Sequence, residues 1–483
     1  MHSYDEKKID TLVDVIGIAA LLHDITHIPS GHALEDELKG LYLKHDDIKS
    51  LRLYNYLYDP NSNIYKIFQN KNNYLPLISN SDLRDLIFLI LKYKYDPNAE
   101  TYTPFEKILE ETKKILGETK TENDEQKKMI LEQKKMILEL EDIYKKFTNK
   151  ENLLFEPVMS EIISNTISAD LLEYLKRDIW GTGLDSSIDS RIEKYFVVIK
   201  DGITHNYHLV IKLFGEKGLR LDTISSIIEL MELRYALAEK VYYHKTKVAA
   251  DVMLGKLLEL VGKPSDSNPY AKDTFDHNIN TMREWNLYAY IQEKARSGKK
   301  PFAEELLKMI QYRNLYKSCI IIPKYDHDIS DQDYKILYQH FRKGEHSEKN
   351  IRDFEAEINL IFNDDKSHIF VFCPPTKPHA KEIGVFVKTD KEIAPLSQII
   401  KGNSIIPDPK RNRIINLDNS YELLWKFFIF IHPEDYKNEL TRHIIIVKIC
   451  QFLEKLMPDS KLPAEILSGE KFAINYHSPE SIL

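Results

Sequence analysis

The sequence predicts a mainly α-helical fold with a small hairpin, a long helical insertion and a carboxy-terminal α/β domain. Three observations predict it. Apolar residues recur every three or four positions through the first two-thirds, a charged heptad repeats in tandem near residue 130, and short β-rich runs take over beyond residue 318.

The elements follow in order. From Lys8 to Leu22, the residues Ile9, Leu12, Val13, Ile16, Ala19, Ala20 and Leu22 recur densely enough for a helix buried on most sides, and Pro29 and Gly31 stop it. Helical patterns continue over 33–58, 82–94, 153–179, 221–262 and 302–317. In "YFVVIK", "DGITH" and "YHLVIKL", between residues 195 and 213, two β-rich runs flank a glycine-bearing turn, as in a hairpin. Residues 104–147 contain "EQKKMIL" at 125–131 and again at 132–138, which predicts a projecting, coiled-coil-like helix or a solvated helix with one apolar stripe. Beyond 318, the runs "CIIIP", "HIFVFC", "IGVFVKT" and "KFFIFIH" read as short strands, followed by an amphipathic helix over 436–456. The expected division is residues 1–317, carrying the 104–147 insertion, and residues 318–483.

Composition narrows the function. The chain has 483 residues, 43% hydrophobic and 29% charged, enough for large buried cores. It contains neither a run of about 18 apolar residues nor a signal-like amino terminus, so a cytoplasmic, membrane-free protein is expected. Cys319, Cys373 and Cys450 are widely separated and form no CxxC pair, which leaves them as core thiols. A formal charge of −8 disfavours wholesale coating of nucleic acid, so a polyphosphate must be met by a local cluster of cations.

The chemistry concentrates in "ALLHDITHIPSGH", residues 20–32. His23 and Asp24 are adjacent and cannot share one helical face, but at a helix end they can converge on an ion beyond the terminus. One nitrogen and one oxygen ligand suit a divalent ion such as Mn, Mg, Fe or Zn. His27 follows His23 by one turn. His32 stands three residues before Glu35, so on a new helix the carboxylate can orient the imidazole for general acid work. A further carboxylate is available in "NTISADLLEYLKRD", residues 165–178, where Asp170, Tyr174 and Asp178 recur every four residues beside Lys176 and Arg177. The segment "RYALAEKVYYHKTK", residues 234–247, sets Arg234, Lys240, His244, Lys245 and Lys247 around Tyr242 and Tyr243, a mixture suited to phosphates and a sugar or base. Taken singly, each cluster also has an ordinary structural reading: a chance His–Asp pair, a solvated helix face, a basic helix.

Together, these segments resemble the HD-domain deoxynucleoside triphosphate triphosphohydrolases, the family of the bacterial dGTPases and the animal sterile-alpha-motif and HD-domain dNTPase. The resemblance rests on "LLHDITHIPSGHALEDE" at 21–37, "LKHDDIKS" at 43–50, "ISADLLEYLKRD" at 167–178, "YYHKTK" at 242–247 and "IQYRNLYK" at 310–317, in the family's order. It implies that the helical core is an HD domain. It also implies that His23, Asp24 and Asp170 bind the metal, that His32 and Glu35 form the catalytic dyad, and that His27 and His45 line the phosphate pocket. Tyr174, Asp178, Arg234 and Tyr242 are implied to hold triphosphate and sugar. The implied reaction converts a dNTP to deoxynucleoside and triphosphate, with an activating nucleotide and a homo-oligomer as further expectations. Nucleotide depletion, phage defence included, follows only by analogy with the family.

The sequence also departs from the family pattern. The family places another metal-binding histidine a full helix and loop before the HD pair, whereas 22 residues precede His23 here. His2, followed by Ser3, is the available substitute. Leu171 stands where the animal enzyme has a phosphate-binding lysine, and Ala238 where it has a sugar-contacting histidine. Two other readings stay open: an HD phosphodiesterase or nuclease, and a nucleotide-binding regulatory or assembly protein with an incomplete metal site.

Overall fold

The computed structural model describes residues 6–27, 31, 47–70, 75, 77–93, 105–119, 124–149, 155–200, 206–262, 284–324, 329–344, 346–362, 364, 366–374, 380–390, 393–401 and 405–468. Helices dominate, with small sheets between them. The amino-terminal core packs α1 (Glu6–Leu22), α2 (Arg52–Tyr58), α3 (Asn63–Phe68), α4 (Asn80–Lys92), α5 (Phe105–Glu118), α6 (Asp124–Thr148) and α7 (Pro157–Ser164). On α1 the buried positions Val15 and Ala19 are four apart and face α4. Helix α4 starts where Ser79 accepts a hydrogen bond from the Asp82 amide, which satisfies one of the amino-terminal N–H groups.

The 104–147 insertion does not project. It forms two helices, α5 and α6, that pack on each other, and α6 also packs on α4. The buried stripe of α6 includes Met136, Ile137, Leu140, Ile143, Tyr144 and Phe147, while Leu131 and Leu138 on the other side are exposed. Thus the second heptad places Met136 and Ile137 inside the domain core. The period that suits a coiled-coil partner suits an intramolecular one equally well.

The helical run over 153–179 is interrupted at Asn165–Ser168, where the Ser168 side chain caps α8 (Ala169–Thr182) by accepting from the Leu171 amide. Gly183, at φ +70, closes α8 in the left-handed conformation that glycine tolerates. The run over 221–262 is likewise divided into α9 (Leu221–Leu237), a π-helical turn (Ala238–Tyr242) and α10 (Lys245–Gly262). Helices α8 and α9 share a core with a four-stranded sheet. In that sheet, β1 (Phe196–Lys200) and β2 (Tyr207–Lys212) form the expected antiparallel hairpin. After a two-stranded ribbon of β3 (Phe214–Gly215) and β4 (Gly218–Leu219), the sheet is completed where β2 pairs in parallel with β7 (Phe386–Lys388), which turns back onto β8 (Ile393–Pro395).

The remaining sheet is antiparallel in the order β5 (Lys317–Pro323), β9 (Lys426–Ile431), β6 (Ile369–Phe372). Both of its faces are apolar. Phe370, Phe428 and Phe430 face α10, α11 (Glu284–Ser297) and α12 (Pro301–Gln311), whereas Ile369, Val371, Phe427, Ile429 and Ile431 face the carboxy-terminal helices. The alternation along each strand sends successive side chains into two different cores. Hydrogen bonds in one sheet and packing on the other therefore cross the 317/318 division. Cys319, Cys373 and Cys450 are buried free thiols, and burial pushes Cys319 up to about 12. No helix among the described residues is long and apolar enough to cross a membrane.

Candidate metal centre

Helix α1 ends one residue before His23, and a short turn follows in which the Ile25 amide donates to Leu22 O and the His27 amide to Asp24 O. The turn is braced from below. Thr26 is buried, and the buried Arg52 on α2 donates from Nη1 to the Thr26 carbonyl at 3.3 Å. His23 Nδ1 donates to the Ala20 carbonyl at 2.6 Å, which fixes the ring and leaves Nε2 as the outward nitrogen. Nε2 lies 3.3 Å from Asp24 Oδ2 and 3.1 Å from Asp170 Oδ1. Asp170 is in the first turn of α8, so the cap at Ser168 also sets the carboxylate's position. His27 Nε2 is 3.3 Å from the other Asp24 oxygen.

One ligand atom from each of His23, Asp24 and Asp170 lies within 4.8 Å of the others. Metal–ligand bonds of about 2.1 Å put neighbouring donors about 3.0 Å apart in an octahedron and about 3.4 Å apart in a tetrahedron. The two distances from Nε2 fall in that range. The donor set of one nitrogen and two carboxylate oxygens fits a divalent ion and leaves coordination positions for water or substrate. The hydrogen bond to Asp170 raises His23 above the usual imidazole range, against the effect of burial, with the Ala20 carbonyl and Asp24 adding to it. A proton and a metal would thus compete for the same nitrogen.

The face of α8 continues away from Asp170. Tyr174 lies beside Arg234, and burial raises its phenol above the usual range against the pull of that positive charge. Tyr242 donates to Asp178 Oδ2 at 2.6 Å. Arg234 donates from Nη1 to Glu382 Oε1 at 2.7 Å, with side-chain exposures of 17% and 0%. Burial opposes the Arg234 charge, but the Glu382 carboxylate beside it more than restores it. The structure therefore brings Asp170, Tyr174, Asp178, Arg234 and Tyr242 to one region. Of the exposed neighbours, Lys176 lies near Glu193 and Arg177 near Glu173.

His32, Glu35, His45 and His2 lie outside the described residues. The basic motifs at 242–247 and 310–317 meet at an open cleft of about 570 Å³, whose walls include Lys240, His244, Lys247 and Arg313. Three supporting groups escaped sequence reasoning. Besides Arg52, the buried Lys92 donates to the carbonyls of Asp47 at 2.7 Å and Ser50 at 2.9 Å, pinning the segment that follows His45. The third is Glu382, 148 positions from its partner. A lone cation inside an apolar stretch such as "IFLILKY" was the available signal for Lys92; Glu382 gave none.

No family model matches the chain. No curated protein matches it either. Among solved structures, it is similar to the crystal structure of a phosphohydrolase from Bacteroides thetaiotaomicron, at 15% identity and a TM-score of 0.40, covering 88% of this chain and 80% of that one. A likeness this distant assigns no activity.

Proposed function

We propose that the chain is a metal-dependent phosphohydrolase that cleaves deoxynucleoside triphosphates to deoxynucleoside and triphosphate. One observation carries the reading: His23, locked by the Ala20 carbonyl, presents Nε2 to two carboxylates at ligand-like separations. His23, Asp24 and Asp170 are the residues that would hold the ion. When bound, a divalent ion supplies positive charge beside a phosphoryl oxygen.

The chain's own groups do the rest in this proposal. Arg234 keeps part of its donor fork for a phosphate, and Tyr174 beside it contributes a phenol. Asp178 receives Tyr242 on Oδ2 and Arg177 Nε on Oδ1 at 3.4 Å, and its remaining lone pairs can accept a sugar hydroxyl. His27 stands beside Asp24 at the phosphate end, joined by His45 in this reading. His32, oriented by Glu35, is assigned the proton that the departing oxygen takes. The dyad, the phosphate roles and the deoxynucleotide substrate follow the family resemblance.

A second reading, nucleotide binding without turnover, is favoured by one feature: Arg234 is already engaged by a fully buried carboxylate. Incubation with each dNTP and manganese separates the two. Release of triphosphate supports hydrolysis, pyrophosphate points to a different phosphoesterase, and binding without product supports the second reading.

A further inference from the structure

The Arg234–Glu382 pair combines a single contact with a fully buried carboxylate. Elsewhere in the chain, Arg413 grips Glu232 with two nitrogens on two oxygens, at 2.7 and 2.8 Å. Arg234 gives Glu382 a single Nη1 contact. The other Glu382 oxygen, Oε2, is buried without a hydrogen-bond partner among the described residues. A fully buried carboxylate with one oxygen unsatisfied is a costly arrangement, and a guanidinium held by one arm keeps donors for another anion.

Glu382 comes from the other half of the chain. It sits on the short turn Lys381–Gly384, where the Ala380 amide donates to Asp418 Oδ1 and the Val385 amide to Glu382 O, between the buried side chains of Ala380 and Val385. That turn delivers a negative charge to an arginine whose neighbour Tyr174 stands one helical turn from Asp170. A phosphate arriving at Arg234 therefore meets a like charge already in place.

We propose that Glu382 is a built-in competitor for the anionic group of the ligand: it neutralises Arg234 in the free chain and weakens the hold on any phosphate that enters. This inference rests on the reading of Arg234 as a phosphate-binding residue. It gives the carboxy-terminal half a direct part in setting affinity. A polyanion, which offers several charges to the guanidinium, overcomes the competitor more readily than a monoanion does.

Calorimetric titration with inorganic tripolyphosphate in metal-free buffer tests the proposal without help from the ion. Glu382→Gln keeps the shape and an acceptor oxygen but loses the charge, and is expected to bind about ten- to a hundredfold more tightly than wild type. Adding Arg234→Met to it abolishes the gain. Glu382→Asp, which keeps the countercharge but draws it back by one methylene, gives a smaller gain and serves if the glutamine variant does not fold. Affinity in Glu382→Gln at or below wild type, with Arg234→Met alone weakening binding, overturns the competitor while sparing the phosphate role. If folded Arg234→Met and Glu382→Gln both bind as wild type does, the phosphate reading itself falls, and the competitor with it.

Discussion

Asp170→Asn separates a metal ligand from a structural carboxylate, because the two roles predict different melting curves. The Asp170 side chain is 38% exposed, so water screens its pairing with His23, and losing it costs about 1 kcal/mol or less in the metal-free chain. The metal-dependent part is larger. An ion present at a hundredfold excess over its Kd stabilises the folded state by about 2.7 kcal/mol, which for a long chain is a rise of up to about 5 °C. If the weaker amide ligand lowers metal affinity about a hundredfold, the same manganese concentration stabilises by only about 0.4 kcal/mol, under about 1 °C. Thermal scans of both proteins, with chelator and with manganese, read the difference directly. An undiminished manganese shift in Asp170→Asn refutes the ligand role. A large drop in the chelated protein shows instead that the carboxylate holds the fold.

Two further perturbations probe the surroundings. Met136→Ala, at a fully buried position on α6, should cost about 2–5 kcal/mol in urea unfolding, whereas Leu138→Ala on its exposed side should cost almost nothing; equal effects would contradict the packed insertion. His368 donates toward Asp435 and Asp364 at 2.7 and 2.9 Å; burial lowers its pKa, but these bonds outweigh that and leave it raised. Its contribution is therefore fully present below the ordinary imidazole range and is lost as pH rises through the raised folded-state value. His368→Gln should flatten the dependence of melting temperature on pH in that window, and an unchanged profile counts against the charged pair.

The sequence made some of this legible for clear physical reasons. The period of α1 and the Pro29–Gly31 break put His23 and Asp24 at a helix end, and the four-residue spacing of Asp170, Tyr174 and Asp178 put them on one face of α8. Both are local properties. The insertion was harder to read, because a stripe ending in Met136, Ile137, Leu140 and Phe147 has the same period whether its partner is another chain or this one. Breaks at 165–168 and 238–244 carry no Pro or Gly, and so no punctuation. The parallel pairing of β2 with β7 and the meeting of Arg234 with Glu382 join residues more than 140 positions apart, where no spacing rule operates.

The measurement closest to the central claim is manganese-dependent release of triphosphate from deoxynucleoside triphosphates, compared between the wild-type chain and His23→Ala. The account predicts release by the wild type that chelator stops, and none from the folded variant, because Nε2 of His23 faces both Asp24 and Asp170. Release by His23→Ala at the wild-type rate, with the same manganese dependence, would contradict it.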